Sequence, residues 1–268
     1  SWEIQGSVTE VNSATNLLNL DSNTIDYMYI DPPFGANIMY SDLNFLSESW
    51  LKVKTNTKEE AIENEYQNKG YLDYQHLMSK SFKEFFRVLK PGRWMTVEFS
   101  NTSSQIWNAI NIAIQNAGFV IANISSLDKK HGGIRSMTYS TSVKQDLIIS
   151  CYKPSKTFEK KFNPKNEKQV AVWEFVDEHL NHLPIHLQKE NSTTAIIERS
   201  PKIIFDRLVS FYVQKGLSVP IDASKFQKGL RERFVERDGM FFTNKQVQEY
   251  DRKKAEVPNF TQMSILVA

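Results

Sequence analysis

Ile25-Asp26-Tyr27-Met28-Tyr29-Ile30-Asp31-Pro32-Pro33-Phe34 is the stretch that decides how this chain is read. Six residues dense in branched and aromatic side chains spell a strand, and Asp-Pro-Pro stops it at once. Two consecutive prolines fix φ and remove two backbone N–H donors, so the turn is stiff and rich in acceptors. Working outward, Tyr74–Leu89 places Leu77, Met78, Phe82, Phe85, Phe86 and Leu89 at helical intervals, with Lys90-Pro91-Gly92 as its stop. Trp94–Phe99, Phe119–Ile124 and Asp146–Cys151 read as further strands, and Ser104–Asn116 as an amphipathic helix ended by Gly118. Trp2–Gln5 reads as a short extended segment. Strands that alternate with helices imply an α/β fold with a mostly parallel sheet covered on both faces.

Beyond residue 152 the pattern changes. Residues 153–168 hold six lysines and two prolines among few apolar anchors, which marks them as a linker. Helical periodicity follows at Val170–Asn181, at Pro201–Lys215 and from Asp222 or Ala223 to Phe234. Arg237-Asp238-Gly239-Met240 reads as a tight turn, and Asn244 as the cap of a last helix through Lys254. The predicted organisation is a catalytic region at 1–152, the linker, and a mainly helical domain at 169–268.

Of the 268 residues, 40% are hydrophobic and 24% charged, the usage of an ordinary folded protein. No apolar run reaches the roughly 18 residues of a membrane span, and no signal-peptide pattern opens the chain. Cys151 is the single cysteine, so an internal disulfide and a thiolate zinc cluster are both ruled out. A reducing, cytoplasmic setting is expected. The net charge of +2 is unevenly shared. Residues 1–150 carry 13 Lys+Arg against 16 Asp+Glu, and residues 151–268 carry 20 against 15. The basic second half suits a polyanion or a well-solvated lysine surface equally.

The Asp31 turn carries the chemistry. In open α/β sheets ligands sit at the carboxyl ends of the strands, where this turn lies. An exocyclic amine of a nucleobase offers two N–H donors, and the Asp31 carboxylate with the Pro32 carbonyl can accept both. Phe34 can stack on the face of a flipped base. The plainer reading is a rigid turn whose phenylalanine plugs the sheet edge.

Asp31-Pro32-Pro33-Phe34 resembles the catalytic motif of the amino-group DNA methyltransferases, which act on adenine N6 or cytosine N4. Gly6-Ser7, the Asn23-Thr24-Ile25-Asp26 approach, the Arg87–Gly92 helix exit and the Asp146–Ser150 strand extend the likeness over about residues 1–152. What the resemblance implies is a partial Rossmann-like methyltransferase sheet, S-adenosylmethionine as cofactor and double-stranded DNA as partner. The initial aspartate is the more usual adenine form. The resemblance assigns catalysis to Asp31, Pro32, Pro33 and Phe34; by position after the motif, Asn37 joins Asp31 as an expected cofactor contact and Tyr40 joins Phe34 as an expected substrate contact, while Lys129, His131 and Arg135 suit substrate contact or plain exposure equally. Lys129, Lys130, His131 and Arg135 flank Gly132-Gly133 in a basic loop. The family's Phe-x-Gly-x-Gly cofactor loop does not occur in these 268 residues. The expectation is therefore a fragment whose cofactor-binding part lies upstream. The alternative is a non-catalytic nucleic-acid-binding or assembly module derived from the same fold.

Other residues invite weaker readings. Asp42 and Trp50 follow the motif and could line a pocket, though core packing accounts better for Trp50. His179, His182 and His186 suggest a metal, but Pro184 interrupts the helix and no carboxylate completes a site. Lys225, Lys228, Arg231, Arg233 and Arg237 accompany Phe226, Phe234 and Phe241-Phe242, which suits a DNA-contacting face or a solvated amphipathic helix.

Overall fold

The computed structural model describes residues 13–35, 39–100, 103–128, 145–162, 168–189, 192–257 and 259–261. Four strands form one sheet: β1 (Ile25–Ile30), β2 (Leu89–Phe99), β3 (Val120–Asp128) and β4 (Gln145–Tyr152), in the order β1-β2-β4-β3. The Asn23 and Thr24 amides donate to the Arg87 and Val88 carbonyls, so β1 and β2 start side by side and run parallel. Gly92 donates to Lys153 and Lys153 to Arg93, which sets the end of β4 against the start of β2 and makes that pair antiparallel. The α/β class read from the sequence holds, with a sheet that mixes directions.

The chain divides into two compact units. One comprises Ser1–Lys90, Glu98–Gly118 and Leu127–Asp146. Its core is the packing of α2 (Tyr71–Val88) on α3 (Ser104–Ala117). The two helices present Tyr74, Leu77, Met78, Phe82, Phe85 and Val88, and Ile106, Ala109, Ile110, Ala113 and Ile114, all buried. Asp73 accepts from the Gly70 amide and so closes the first turn of α2, while Gly118 ends α3 in the left-handed region. Phe86 packs so close to the Gly118 Cα that an added Cβ would lie 2.9 Å from its ring. Lys90-Pro91-Gly92 does not stop α2 by breaking the chain. The residues enter β2, which begins at Leu89 directly after the helix.

The other unit comprises Pro91–Val97, Phe119–Ser126 and Leu147–Ala268. Its helices are α4 (Lys156–Lys161), α5 (Lys168–His182), α6 (Pro201–Gln214), α7 (Ala223–Arg233) and α8 (Asn244–Glu256). Tyr152, Phe158, Val172, Phe175, Leu180, Leu208, Phe211, Phe226 and Phe241 share one apolar cluster. Within the lysine-rich stretch, Lys156–Lys161 is therefore a short helix whose Phe158 reaches the core, capped by the Ser155 hydroxyl. Two small sheets complete the unit. β5 (Leu187–Lys189) pairs antiparallel with β6 (Ser192–Thr194), and β6 pairs parallel with β9 (Asn259–Thr261). β7 (Val235–Arg237) and β8 (Met240–Phe242) form a hairpin whose Asp238-Gly239 turn has positive φ at both residues. The cap of α8 is Thr243, one residue before the expected Asn244, and its amide donates to Gln246 Oε1 at 3.2 Å.

Arg199 is the buried hub of this unit. Its guanidinium donates to the carbonyls of Pro184, Leu180, Leu183 and Phe241 at 2.7–3.1 Å and to Gln246 Oε1 at 3.2 Å. It also lies 4.5 Å over the Phe242 ring. Burial lowers its pKa to about 10, so it still carries its charge at neutral pH.

Candidate active site

β1 alternates its side chains, Met28 inward and Tyr27 and Tyr29 outward, and Asp31 follows in the outward register with its side chain exposed. Tyr29 Oη donates to the Glu98 carboxylate near the end of β2, so the two strand ends are cross-tied beside the turn. Pro32 is buried, and Pro33 and Phe34 are half-buried. Gly35 closes the turn at φ +78°, a conformation that a side chain would strain.

Two supports fix the motif from within the same unit. Tyr74, fully buried on α2, donates its hydroxyl to the Pro33 carbonyl at 2.7 Å. Burial, with Glu63 and Tyr40 nearby, pushes this phenol well above its ordinary range, so it remains a donor at any working pH. The Phe34 ring meets Phe99 edge-to-face at 5.3 Å, and Phe99 in turn contacts Trp107 of α3 at 6.1 Å. Tyr74 thus occupies the Pro33 carbonyl and holds the turn from the α2 side.

The helix α1 (Tyr40–Leu51) begins just past the motif. Tyr40 opens it, and its phenol is raised by burial and then by the negative charge of Asp31, which sets the two side chains in each other's field. Glu60 anchors this end of α1 by accepting from the Ser41 amide at 3.0 Å and from Gln67 Nε2 at 2.9 Å. Burial would raise the Glu60 carboxyl, but those bonds and the nearby Lys69 outweigh it and hold the group below its usual range. Lys69 donates to the Thr57 and Glu60 carbonyls and fixes the loop that carries Glu60.

The structure thus gathers Asp31, Pro32, Pro33, Phe34 and Tyr40 at one strand end. Asn37, Lys129, Lys130, His131, Gly132, Gly133 and Arg135 lie outside the described residues, as do Trp2–Gln5. Trp50 overturns the core reading: it stands on α1 and is 88% exposed. The tail aromatics correct another expectation. Phe226, Phe241 and Phe242 are buried core, so they cannot stack on bases, and Phe234 packs against the same apolar cluster. Of the accompanying cations, Lys225, Arg231 and Arg237 pair with Asp222, Glu236 and Asp251. The three histidines go separate ways. His179 shares a hydrogen bond with Tyr152 Oη at 3.1 Å, His182 stacks on Tyr152, and His186 bonds Thr193 Oγ1. Tyr74, Phe99, Trp107 and Glu60 are supports that sequence reasoning did not pick out as such.

A family model described as DNA methylase, of the N6/N4 type, matches residues 25–258. Among solved structures, the chain resembles TTHA0409 of Thermus thermophilus, assigned provisionally as a DNA modification methylase. One form shows 13% identity over 60% of this chain and 61% of that one, TM-score 0.32. The form complexed with S-adenosyl-L-methionine shows 12% identity over 95% and 98%, TM-score 0.34. The cytosine-N4-specific PvuII DNA methyltransferase shows 12% identity over 81% and 89%, TM-score 0.36. These overlaps are too loose to bear weight, and the first spans less than two thirds of the Thermus chain. No curated protein matches by sequence. The weight rests on the family match, which covers most of the chain.

Proposed function

The chain belongs to the N6/N4-type DNA methylase family, and from that premise we propose that it transfers a methyl group to an exocyclic base amine of double-stranded DNA. Adenine N6 is the proposed target, with Asp31, Pro32, Pro33 and Phe34 as the reacting motif. The observation that carries this reading is the Tyr74–Pro33 bond, which pins the turn beside the Asp31 carboxylate and the Pro32 carbonyl, the two acceptors proposed for an amine's two N–H bonds. Accepting both hydrogens draws electron density onto the nitrogen and aims its lone pair at the methyl carbon. As the N–C bond formed and the donor's C–S bond broke, its electron pair leaving a neutral thioether, the nitrogen would gain positive charge that the Asp31 carboxylate would stabilise while holding the proton to be lost. Phe34, braced on Phe99, offers a ring face to a flipped base.

The cofactor is S-adenosylmethionine, which supplies the methyl group from a sulfonium cation. An exposed carboxylate at a strand end suits a cationic donor, so the methyl-bearing end fits the residues present. Asp31 would face it, with Asn37 proposed there from its place just after the motif. Tyr40 beside Asp31 would border the base, and Lys129, His131 and Arg135 are proposed as further substrate contacts. The adenosine end would need a glycine-rich loop that these 268 residues do not contain in the Phe-x-Gly-x-Gly form. The second reading is a non-catalytic nucleic-acid-binding or assembly module derived from the same fold. A cytoplasmic setting accords with a lone, buried cysteine whose thiol burial pushes up.

The test is tritiated-methyl transfer to double-stranded DNA by the full-length enzyme and its Asp31→Ala form, beside thermal melts. Loss of a positioned acceptor is expected to cost about 100-fold or more in turnover. The melt should barely move, since Asp31 is exposed. Normal turnover by Asp31→Ala would remove the mechanism. A full-length wild type that binds DNA by fluorescence anisotropy yet transfers no methyl would favour the module.

A further inference from the structure

None of the twelve residues of α1 is buried, and Met39 at its start supplies no side-chain cap. Packing of its own face therefore does little to hold this helix in place. At its far end the Thr55 amide and hydroxyl both donate to Glu48, so those bonds close the helix on its own exit rather than on the body of the unit. The near end is tied by Glu60, 19 residues beyond Ser41 in the chain. Its carboxylate is only 9% exposed, a depth at which glutamate needs partners. One oxygen accepts from the Ser41 amide, a donor of the kind that the first turn of a helix leaves over, and the other accepts from Gln67 Nε2. Negative charge at a helix start is also favoured by the helix dipole. Glu60 thus caps α1 from outside the helix.

The loop behind Glu60 is itself fastened. Lys69 Nζ donates to the Thr57 and Glu60 carbonyls, Asn64 and Lys69 exchange both backbone bonds, and Ile62 is buried. The same block runs on into α2, whose Tyr74 reaches back to the Pro33 carbonyl. Residues 60–74 therefore grip the chain twice, at Pro33 and at Ser41, on either side of the stretch between the motif and α1. Tyr40 adjoins the second grip. We propose that Glu60 is a positioning residue: by holding the first turn of α1 it holds Tyr40 beside Asp31, a role that rests on the methyl-transfer reading, in which Tyr40 borders the base. Without that bond α1 has no buried side chain to restore its place, and Tyr40 moves with it.

In the full-length enzyme, Glu60→Ala should raise the KM for DNA about tenfold, near the low end of what a lost base contact costs. The kcat should change little, because Asp31 stays fixed by β1 and Tyr74. Tyr40→Ala should raise KM as much, and the two changes together should be no worse than Tyr40→Ala alone, since Glu60 acts through Tyr40. Glu60→Gln should keep the wild-type KM. The new amide oxygen can accept from Ser41, and Gln67 can turn toward the new N–H its Oε1, which is buried with no partner among the described residues. The place of Tyr40 is read apart from activity by fluorine NMR of the 268-residue chain carrying 3-fluorotyrosine at position 40. Burial and the charge of Asp31 hold this phenol above its ordinary range. Glu60→Ala should bring its titration down, and Glu60→Gln should not. A wild-type KM in Glu60→Ala would overturn the proposal, as would losses that add to those of Tyr40→Ala. Glu60→Gln as impaired as Glu60→Ala, or a phenol titration unmoved by Glu60→Ala, would overturn it too. A wild-type enzyme that transfers no methyl while the titration shifts as stated would defeat the methyl-transfer reading and leave the hold of Glu60 on Tyr40 standing.

Discussion

Replacing Tyr74 by Phe removes one oxygen from the protein and isolates what holds the Asp-Pro-Pro turn in place. The ring is fully buried on α2, so the Phe variant keeps its packing and loses only the 2.7 Å bond to the Pro33 carbonyl. That carbonyl belongs to a half-buried residue and can recover part of its solvation from water. The cost to stability is therefore near the net worth of one hydrogen bond, about 1 kcal/mol, a fall of about 2–4 °C in melting temperature for a chain of this size. The functional cost should be larger than the stability cost. With Pro33 untied, the Asp31 carboxylate and Pro32 carbonyl sample a wider range, and misplacement by about 1 Å can cost on the order of 100-fold in rate. About a tenfold loss of kcat is expected, with cofactor KM nearly unchanged, in single-turnover methyl transfer run beside differential scanning calorimetry. Asp31→Ala should lose far more, and the two changes combined should add nothing to Asp31→Ala alone. A Tyr74→Phe protein that melts lower yet turns over at the full rate would refute a positioning role for the bond. One that melts and turns over as the wild type would show that the bond contributes nothing.

Three further outcomes are expected. His179 is buried neutral, its pKa lowered to about 3 by desolvation and then by Arg207, His182 and Arg199. The fold should lose stability as pH falls below the ordinary histidine value of about 6.5, because the unfolded chain gains a proton that the folded state refuses. The slope should approach about 1.4 kcal/mol per pH unit, and His179→Phe, which can keep the stacking on Phe175, should flatten that slope in urea titrations between pH 7 and 5. Arg199→Met should cost about 3–5 kcal/mol by urea denaturation, since it strands buried carbonyls from both α5 and β8. Gly118→Ala should lower stability by about 1–3 kcal/mol, combining a φ of +112° with a clash on the Phe86 ring, and Phe86→Leu should restore part of the loss.

Where apolar residues recur with a steady period the sequence declared its structure. Ile25–Ile30, α2, α3, α6 and α7 lie within a few residues of where periodicity and caps put them. The motif itself was equally legible, since two prolines after a strand admit few geometries. What stayed hidden are the pairings across distance. Tyr74 and Pro33 are 41 residues apart, and nothing local to either announces the bond. Trp50 was misjudged because tryptophan is buried in most folds, and residue type alone does not say that it stands 88% exposed on α1. The tail aromatics were misjudged in the opposite sense. Basic residues around Phe226, Phe241 and Phe242 suggested an outward face, but the helix and hairpin turn the rings inward and pair several of the charges along the surface.

Arg199 also bears on the order in which this part of the chain can assemble. Its bonds reach back to residues 180–184 and forward to 241 and 246, and neither set can form alone without burying a charge that is only half satisfied. The α5 end and the β8–α8 corner must therefore arrive together, late and all at once, because contacts so distant in sequence are slow to close. A nascent chain that has emerged only as far as α7 holds an arginine with two of its five acceptors missing. It would stay open to proteases until the rest of the unit, through α8, has appeared.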